Sequence, residues 1–223
     1  MKGLPEFGTI TATAVDDEAS DDYFLTITDY LTPTSLYLAS VEDQKPELLK
    51  QLPTYFDASG LQVTQQEAKS KDGSRIPYFM VGKKGIKKNG KNPTLLYGYG
   101  GFEVSMVPNY SATVGKAWLE KGGVFVVANI RGGGEFGPSW HQAALKANRH
   151  RAYEDFIAVA ENLIAEKITS TPHLGIQGGS NGGLLMGNML TLRPDLFGAI
   201  VCQVPLLDMR RYHRLLAGAS WMG

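Results

Sequence analysis

Leu174-Gly175-Ile176-Gln177-Gly178-Gly179-Ser180-Asn181-Gly182-Gly183-Leu184-Leu185-Met186 reads as a strand, a tight glycine-rich turn around a serine, and the start of a helix. A Gly-x-Ser-x-Gly turn between a strand and a helix is the context of a nucleophile elbow. The turn leaves no room for bulky side chains two positions before and two after the serine, which accounts for Gly178 and Gly182. Ser180 then projects from a strained turn at the carboxyl edge of a sheet. The following helix directs its positive amino end at the same place. The backbone amide of Asn181 is placed to donate to an oxyanion. No Gly-Lys-Ser/Thr follows, and the glycine spacing does not fit a dinucleotide fingerprint, so a phosphate-cradling loop is excluded.

Outward from the elbow, strands and helices alternate. Residues 94–97 and the near-continuous apolar run 123–129 read as strands, and 110–120 can form a helix. Residues 151–166 carry a helical stripe through Tyr153, Phe156, Ile157, Val159, Ala160, Leu163 and Ile164. Residues 173–177 and 199–204 are strands and 182–192 a helix. Strands without polar alternation are covered on both faces, which points to a doubly wound, mostly parallel sheet between helices. Cys202, inside the last apolar run, is expected to be a buried strand residue.

Ahead of this region the composition differs. Residues 23–28 and 35–39 are short β-prone runs separated by Asp, Ser and Pro turn signals, and they read as antiparallel strands. Residues 61–81 suggest two more strands around a turn at Lys71-Asp72-Gly73. Residues 82–92, with five Lys and three Gly, read as a solvated loop.

Two further glycine-rich stretches follow strands. Tyr97-Gly98-Tyr99-Gly100-Gly101-Phe102 occupies the loop that supplies the second oxyanion donor in this kind of fold, through a backbone amide or a Tyr hydroxyl. A plain turn with two packing aromatics would look the same. Asn129-Ile130-Arg131-Gly132-Gly133-Gly134-Glu135-Phe136-Gly137 ends the next strand, and its Arg and Glu are expected to brace the loop.

Composition narrows the remaining options. Lys plus Arg equals Asp plus Glu at 22 each, so no basic or acidic face marks a nucleic-acid or membrane partner. One cysteine excludes an internal disulfide and a cysteine metal cluster. No apolar stretch reaches the ~20 residues of a membrane span, and the first residues lack a signal-peptide core. The expectation is a soluble protein without metal or cofactor. The cytoplasm is the default setting, and the periplasm the alternative if a leader was lost by truncation.

Together with Arg193-Pro194-Asp195-Leu196-Phe197-Gly198, these stretches resemble the prolyl oligopeptidase family of serine peptidases over residues 93–223. The resemblance implies an α/β-hydrolase domain preceded by β-propeller strands. Residues 1–60 would be the propeller's last strands and the return linker, and 61–223 the first part of the catalytic domain. It implies Ser180 as nucleophile, with the Asn181 amide and the Tyr99 hydroxyl as oxyanion donors. Phe102, Trp221 and Leu206 would line the pocket for the residue before the scissile bond. An aromatic stack would select proline's flat apolar ring. The implied substrate is a short peptide cut after proline, by a parent expected to be monomeric. A Lys/Arg-directed or acylaminoacyl peptidase, or an esterase, is the alternative on the same fold. A non-catalytic truncated relative is the alternative in another class. Relatives cutting after Lys or Arg usually carry Gly-Gly-Ser-Ala-Gly-Gly at the elbow, so Asn181 favours the prolyl branch.

A triad in this fold needs an Asp and then a His after the serine. Only Asp195, Asp208 and His213 follow Ser180. Asp195 sits in a turn at a helix end. Asp208 and His213 share one short segment, where a local brace and an exposed histidine are expected. His141, His150 and His173 precede the serine. In the family the Asp and His come from further sequence, so the expectation is a fragment whose triad lies beyond Gly223 and which is inactive alone.

Overall fold

A computed structural model describes residues 4–42 and 45–221, without the side chains of Ala217 and Trp221. The chain divides into two compact units. One comprises Met1–Thr64, Val81–Lys84 and Val107–Gly123, and the other Gln65–Met80, Gly85–Met106 and Val124–Gly223.

The first unit holds an antiparallel meander of β1 (Thr9–Ala14), β2 (Asp22–Thr28), β3 (Ser35–Ser40) and β4 (Glu47–Gln51). Alternation along β2 buries Leu25 and Ile27, while its other face stays more open. Asp29 fixes the β2–β3 turn by accepting from the amides of Leu31 and Thr32. β2 and β3 match the sequence-based expectation, whereas β1 and β4 were not expected. Nearly all of their residues are exposed, so burial left no periodic signature in Thr-Ile-Thr-Ala-Thr-Ala or Glu-Leu-Leu-Lys-Gln. The helix expected over 110–120 is a short turn α1 (Ala112–Val114), capped by Ser111, that continues as a π-helical turn over Gly115–Leu119. Phe56 stacks on Tyr110 with ring centroids 5.1 Å apart, beside the close approach of Phe56 to Gly115.

The second unit is built on a six-stranded sheet. β5 (Leu61–Lys69), β6 (Arg75–Lys83), β7 (Thr94–Tyr97), β8 (Val124–Ala128), β9 (Leu174–Gly179) and β10 (Ala199–Gln203) lie in the order β10-β9-β7-β8-β6-β5. The boundary between units falls within β5 and β6. β7, β8, β9 and β10 are mutually parallel along that order. The chain runs outward from β7 to β8, then returns to the other side of β7 for β9 and β10. The gap between β7 and β9 is therefore the topological switch point, where open α/β sheets bind ligands outside the strands' carboxyl ends.

Among the described residues, three α-helices belong to this unit: α2 (Pro138–Gln142), α3 (His150–Ala165) and α4 (Asn181–Leu192). The predicted stripe of α3 buries Phe156, Val159 and Leu163 in one core with Leu185, Met186 and Met189 of α4 and Leu96, Val126 and Ile176 of the sheet. α2, not anticipated, starts with Pro138 at its first turn, a position where proline's missing N–H costs nothing.

Cys202 corrects the sequence reading. It is exposed, not buried, although its thiol donates to the Gly183 carbonyl at 3.3 Å. β10 is the edge of the sheet, and Val201 beside it is also exposed. An apolar run has the same composition whether or not a neighbour covers it.

Arg131, expected to brace its loop, does so from a buried position. Its Nε and Nη2 donate to the two carboxylate oxygens of Asp155 at 2.8 and 2.6 Å, and its Nη1 to Asp72 Oδ2 at 2.5 Å. Ser70 donates to Asp155 at 2.6 Å, so the β5–β6 turn, the loop after β8 and helix α3 are tied at one point.

Candidate active site

The elbow forms where the sequence puts it. β9 ends at Gly179, α4 begins at Asn181, and Ser180 alone makes the turn. Its backbone lies at φ 56° and ψ −116°, a conformation costing a non-glycine residue about 1–3 kcal/mol that the surroundings must impose. The Ser180 amide donates to the Gln203 carbonyl of β10 at 3.0 Å, and its own carbonyl accepts from Leu184 at 3.1 Å. A Cβ on Gly178 would stand 2.5 Å from the Gly182 carbonyl oxygen, and one on Gly182 would stand 2.7 Å from the Gly98 oxygen. Both glycines are therefore required by close approach, as the motif implied.

Asn181 is the first residue of α4, so its amide is one of the N–H groups that have no acceptor within the helix. The helix dipole adds positive potential there. Its side chain is buried and does separate work: Nδ2 donates to the Tyr99 carbonyl at 2.7 Å, and Oδ1 accepts from Arg149 Nη2 at 3.1 Å. Arg149 also donates through Nη1 to the Gly100 carbonyl, and its guanidinium lies 5.4 Å from the ring centre of Tyr153. Neither Arg149 nor the side-chain role of Asn181 was anticipated. An arginine just ahead of a helix carries no motif, and only the fold brings it to the loop after β7.

That loop holds Tyr99 half-buried, with its ring edge 3.6 Å from where a Cβ on Gly182 would sit. Burial pushes the neighbouring Tyr97 hydroxyl up, and Tyr99 adds to the shift. Phe102 and Glu103 follow with successive positive φ values of 53° and 57°, leaving Phe102 half exposed. Glu103 N–H donates to the Gly132 carbonyl at 3.2 Å, and Met106 N–H to Glu135 Oε1 at 2.9 Å. Asn129 Nδ2 donates to the Met106 carbonyl at 2.9 Å. Glu135 thus braces its loop against the one after β7, as expected of it.

Leu206 is half-buried on the loop after β10, where Pro205 lies so close to Gly183 that a Cβ there would meet it at 2.8 Å. The side chain of Trp221 lies outside the described residues.

The acids and histidines beyond the elbow are engaged elsewhere. Asp195 pairs with Arg193, and Asp208 with Arg211 at the local turn. Arg211 holds the Asp208 carboxyl below the usual carboxylate range. His213 is exposed beside Arg214, the local brace and exposed histidine that were expected. His141 Nδ1 lies 2.7 Å from the Gly132 carbonyl, His150 Nδ1 3.1 Å from that of Ala147, and His173 Nδ1 3.1 Å from Ser170 Oγ. Among the described residues no helix is long and apolar enough to cross a membrane.

The sequence profile of the prolyl oligopeptidase family matches residues 109–223. An uncharacterized peptidase of Sinorhizobium fredii is 57% identical over 98% of the chain, which corresponds to 30% of that protein. The prolyl endopeptidase of Elizabethkingia miricola is 40% identical over 98% of the chain and 31% of its own length. The structure of a post-proline cleaving enzyme from Rickettsia typhi superposes with a TM-score of 0.89 at 47% identity, covering 98% of this chain and 31% of that one. The chain thus spans about 30% of the length of the relatives it matches.

Proposed function

Because the chain belongs to the prolyl oligopeptidase family, we propose that the full-length protein hydrolyses short peptides after proline through an acyl-enzyme on Ser180. The observation that carries this reading is the elbow. Ser180 stands in an enforced backbone conformation beside the free amide of Asn181, and Asn181 is bonded directly to the backbone of Tyr99. The topology supports it too, since both loops leave the sheet at the switch point.

In the proposed reaction the Ser180 oxygen attacks the carbonyl carbon and its proton passes to a general base. The Asn181 amide and the Tyr99 hydroxyl hold the oxyanion, each worth roughly 3 kcal/mol of barrier. The C–N bond then breaks as the base returns the proton to the leaving amine. Water, deprotonated by the same base, hydrolyses the acyl-enzyme and frees Ser180. We assign the base and its orienting acid to sequence outside these 223 residues, since the four histidines are bonded elsewhere and Asp208 is committed to Arg211. The 223 residues alone would then turn over no peptide, because an unassisted serine is a weak nucleophile.

Phe102 and Leu206, with Trp221, are proposed to line the proline pocket. The peptidase names borne by the Elizabethkingia and Rickettsia relatives support proline as the preferred residue. The four-strand meander of residues 9–51 supports the assignment of 1–60 to the end of a propeller and its return linker. The direct test is a fluorophosphonate probe on the full-length protein, with Pro-, Lys- and ester-containing substrates run in parallel. Labelling and turnover should vanish in Ser180→Ala, and the Pro peptide should be preferred. Labelling that persists in that variant sinks the assignment.

A further inference from the structure

We propose that Arg149 is a positioning residue for the oxyanion site, holding the Tyr99 loop against Asn181 so that the two oxyanion donors keep a fixed separation. The inference rests on the roles proposed for Ser180, Tyr99 and Asn181. The loop Gly98-Tyr99-Gly100-Gly101 has few side chains of its own to restrain it, and glycine leaves its backbone with many accessible conformations. Its order must come from outside. Two consecutive carbonyls supply the handles: Tyr99 O accepts from Asn181 Nδ2, and Gly100 O accepts from Arg149 Nη1. Pinning both fixes the peptide planes on either side of Gly100, whose φ is 62°.

The guanidinium completes a closed circuit. Arg149 Nη2 donates to Asn181 Oδ1 at 3.1 Å. An arginine has only donors and a carbonyl only acceptors, so this bond also sets which way the Asn181 amide faces, leaving Nδ2 for Tyr99. The planar fork of arginine reaches two acceptors at once, which the point charge of a lysine cannot reproduce with the same geometry. A cation–π contact with Tyr153 and a place at the start of α3 hold the fork still. There is no room to spare in the clamp, because a Cβ on Gly101 would collide with the Asn181 side chain. Arg149 touches no reacting atom. It acts through Tyr99 and Asn181.

The test is a double-mutant cycle in the full-length protein, measuring kcat and KM on a proline-containing fluorogenic peptide. Arg149→Met should lower kcat by about 10–100-fold with KM within about 2-fold, a smaller share of the loss seen on removing an oxyanion donor outright. Arg149→Lys should recover only part of that. In a Tyr99→Phe background Arg149→Met should cost under about 3-fold, since the group it positions is gone. An equal loss in both backgrounds means a general structural role and overturns the inference. Full recovery by lysine means charge and not geometry matters, and also overturns it. If Arg149→Met does not fold, the same cycle is run with Arg149→Lys. Should Ser180→Ala stay active, or Tyr99→Phe turn over at the wild-type rate, the site reading fails and takes this inference with it. Additivity with those two controls behaving as expected defeats the inference alone.

Discussion

The side-chain amide of Asn181 donates to the backbone carbonyl of Tyr99 at 2.7 Å, while the backbone amide of Asn181 stands at the open end of α4. One residue therefore does two things at the elbow, opening the helix with an N–H next to Ser180 and anchoring the loop that carries Tyr99. Elbow and loop leave different strands, β9 and β7, and this bond is a direct link between them.

Substituting Asn181 separates the two roles, because the backbone amide survives any side-chain change. Asn181→Ala should keep fluorophosphonate labelling of Ser180 yet lower kcat by about 10-fold or more, a part of the oxyanion contribution. Asn181→Asp should be at least as poor. Its carboxylate still accepts from Arg149 but faces the Tyr99 carbonyl with an acceptor. Wild-type kcat in Asn181→Asp would show that the Tyr99 link is dispensable.

Gly182→Ala tests the close approach of the loops. The added methyl would stand 2.7 Å from the Gly98 carbonyl oxygen, which is backbone and cannot swing aside. A destabilisation of about 1–3 kcal/mol is expected from overpacking, together with loss of Ser180 labelling. Urea midpoints and probe labelling measure both, and a variant that labels at the wild-type rate contradicts the geometry.

Phe102 is half exposed on a backbone with positive φ, a costly conformation for an aromatic residue to hold without a purpose. If it forms a wall of the proline pocket, Phe102→Ala should raise KM for a proline peptide by about 10-fold, near the value of one lost aromatic contact. Labelling of Ser180 by a small fluorophosphonate should be unaffected. Equal losses for proline and lysine peptides would remove Phe102 from the pocket.

How much of this was legible in the sequence depended on where the constraint resides. The elbow was legible because sterics act within five residues, and Gly178 and Gly182 record them directly. Helix α3 was legible because its buried stripe is periodic. Strands β1 and β4 were not, since exposed strands leave no alternation to read. The exposure of Cys202 was missed because edge and centre strands share a composition. Arg149 was invisible for a different reason: its partners, Gly100 and Asn181, lie 49 and 32 residues away, and only the crossover brings them together.

The Arg131–Asp155 pair makes a stability prediction. Both side chains are buried, at 5% and 0% exposure, and the carboxylate accepts from Arg131 and Ser70. Removing one partner strands a buried charge, so Asp155→Ala should cost about 3–5 kcal/mol. Replacing both residues by apolar ones of similar volume should recover much of that. Denaturant midpoints of the single and double variants decide it, and an additive double variant contradicts the pairing.

Asp72 gives the same hub a pH signature. Hydrogen bonding from Arg131 holds its carboxyl well below the usual carboxylate range, with smaller help from Ser74 and against the opposing effect of burial. A carboxyl depressed in the folded state contributes stability that is complete above its unfolded value, about 3.9, and is lost as pH falls through the folded one. The carboxyl is over a third exposed, so solvent screens its contribution to well under that of Asp155. The difference in thermal midpoint between wild type and Asp72→Asn should therefore stay constant from about pH 7 to pH 5 and narrow only below about pH 4. A gap that stays unchanged down to about pH 2 would mean that Asp72 holds its proton equally well folded and unfolded, and that the Arg131 bonds do not persist in solution.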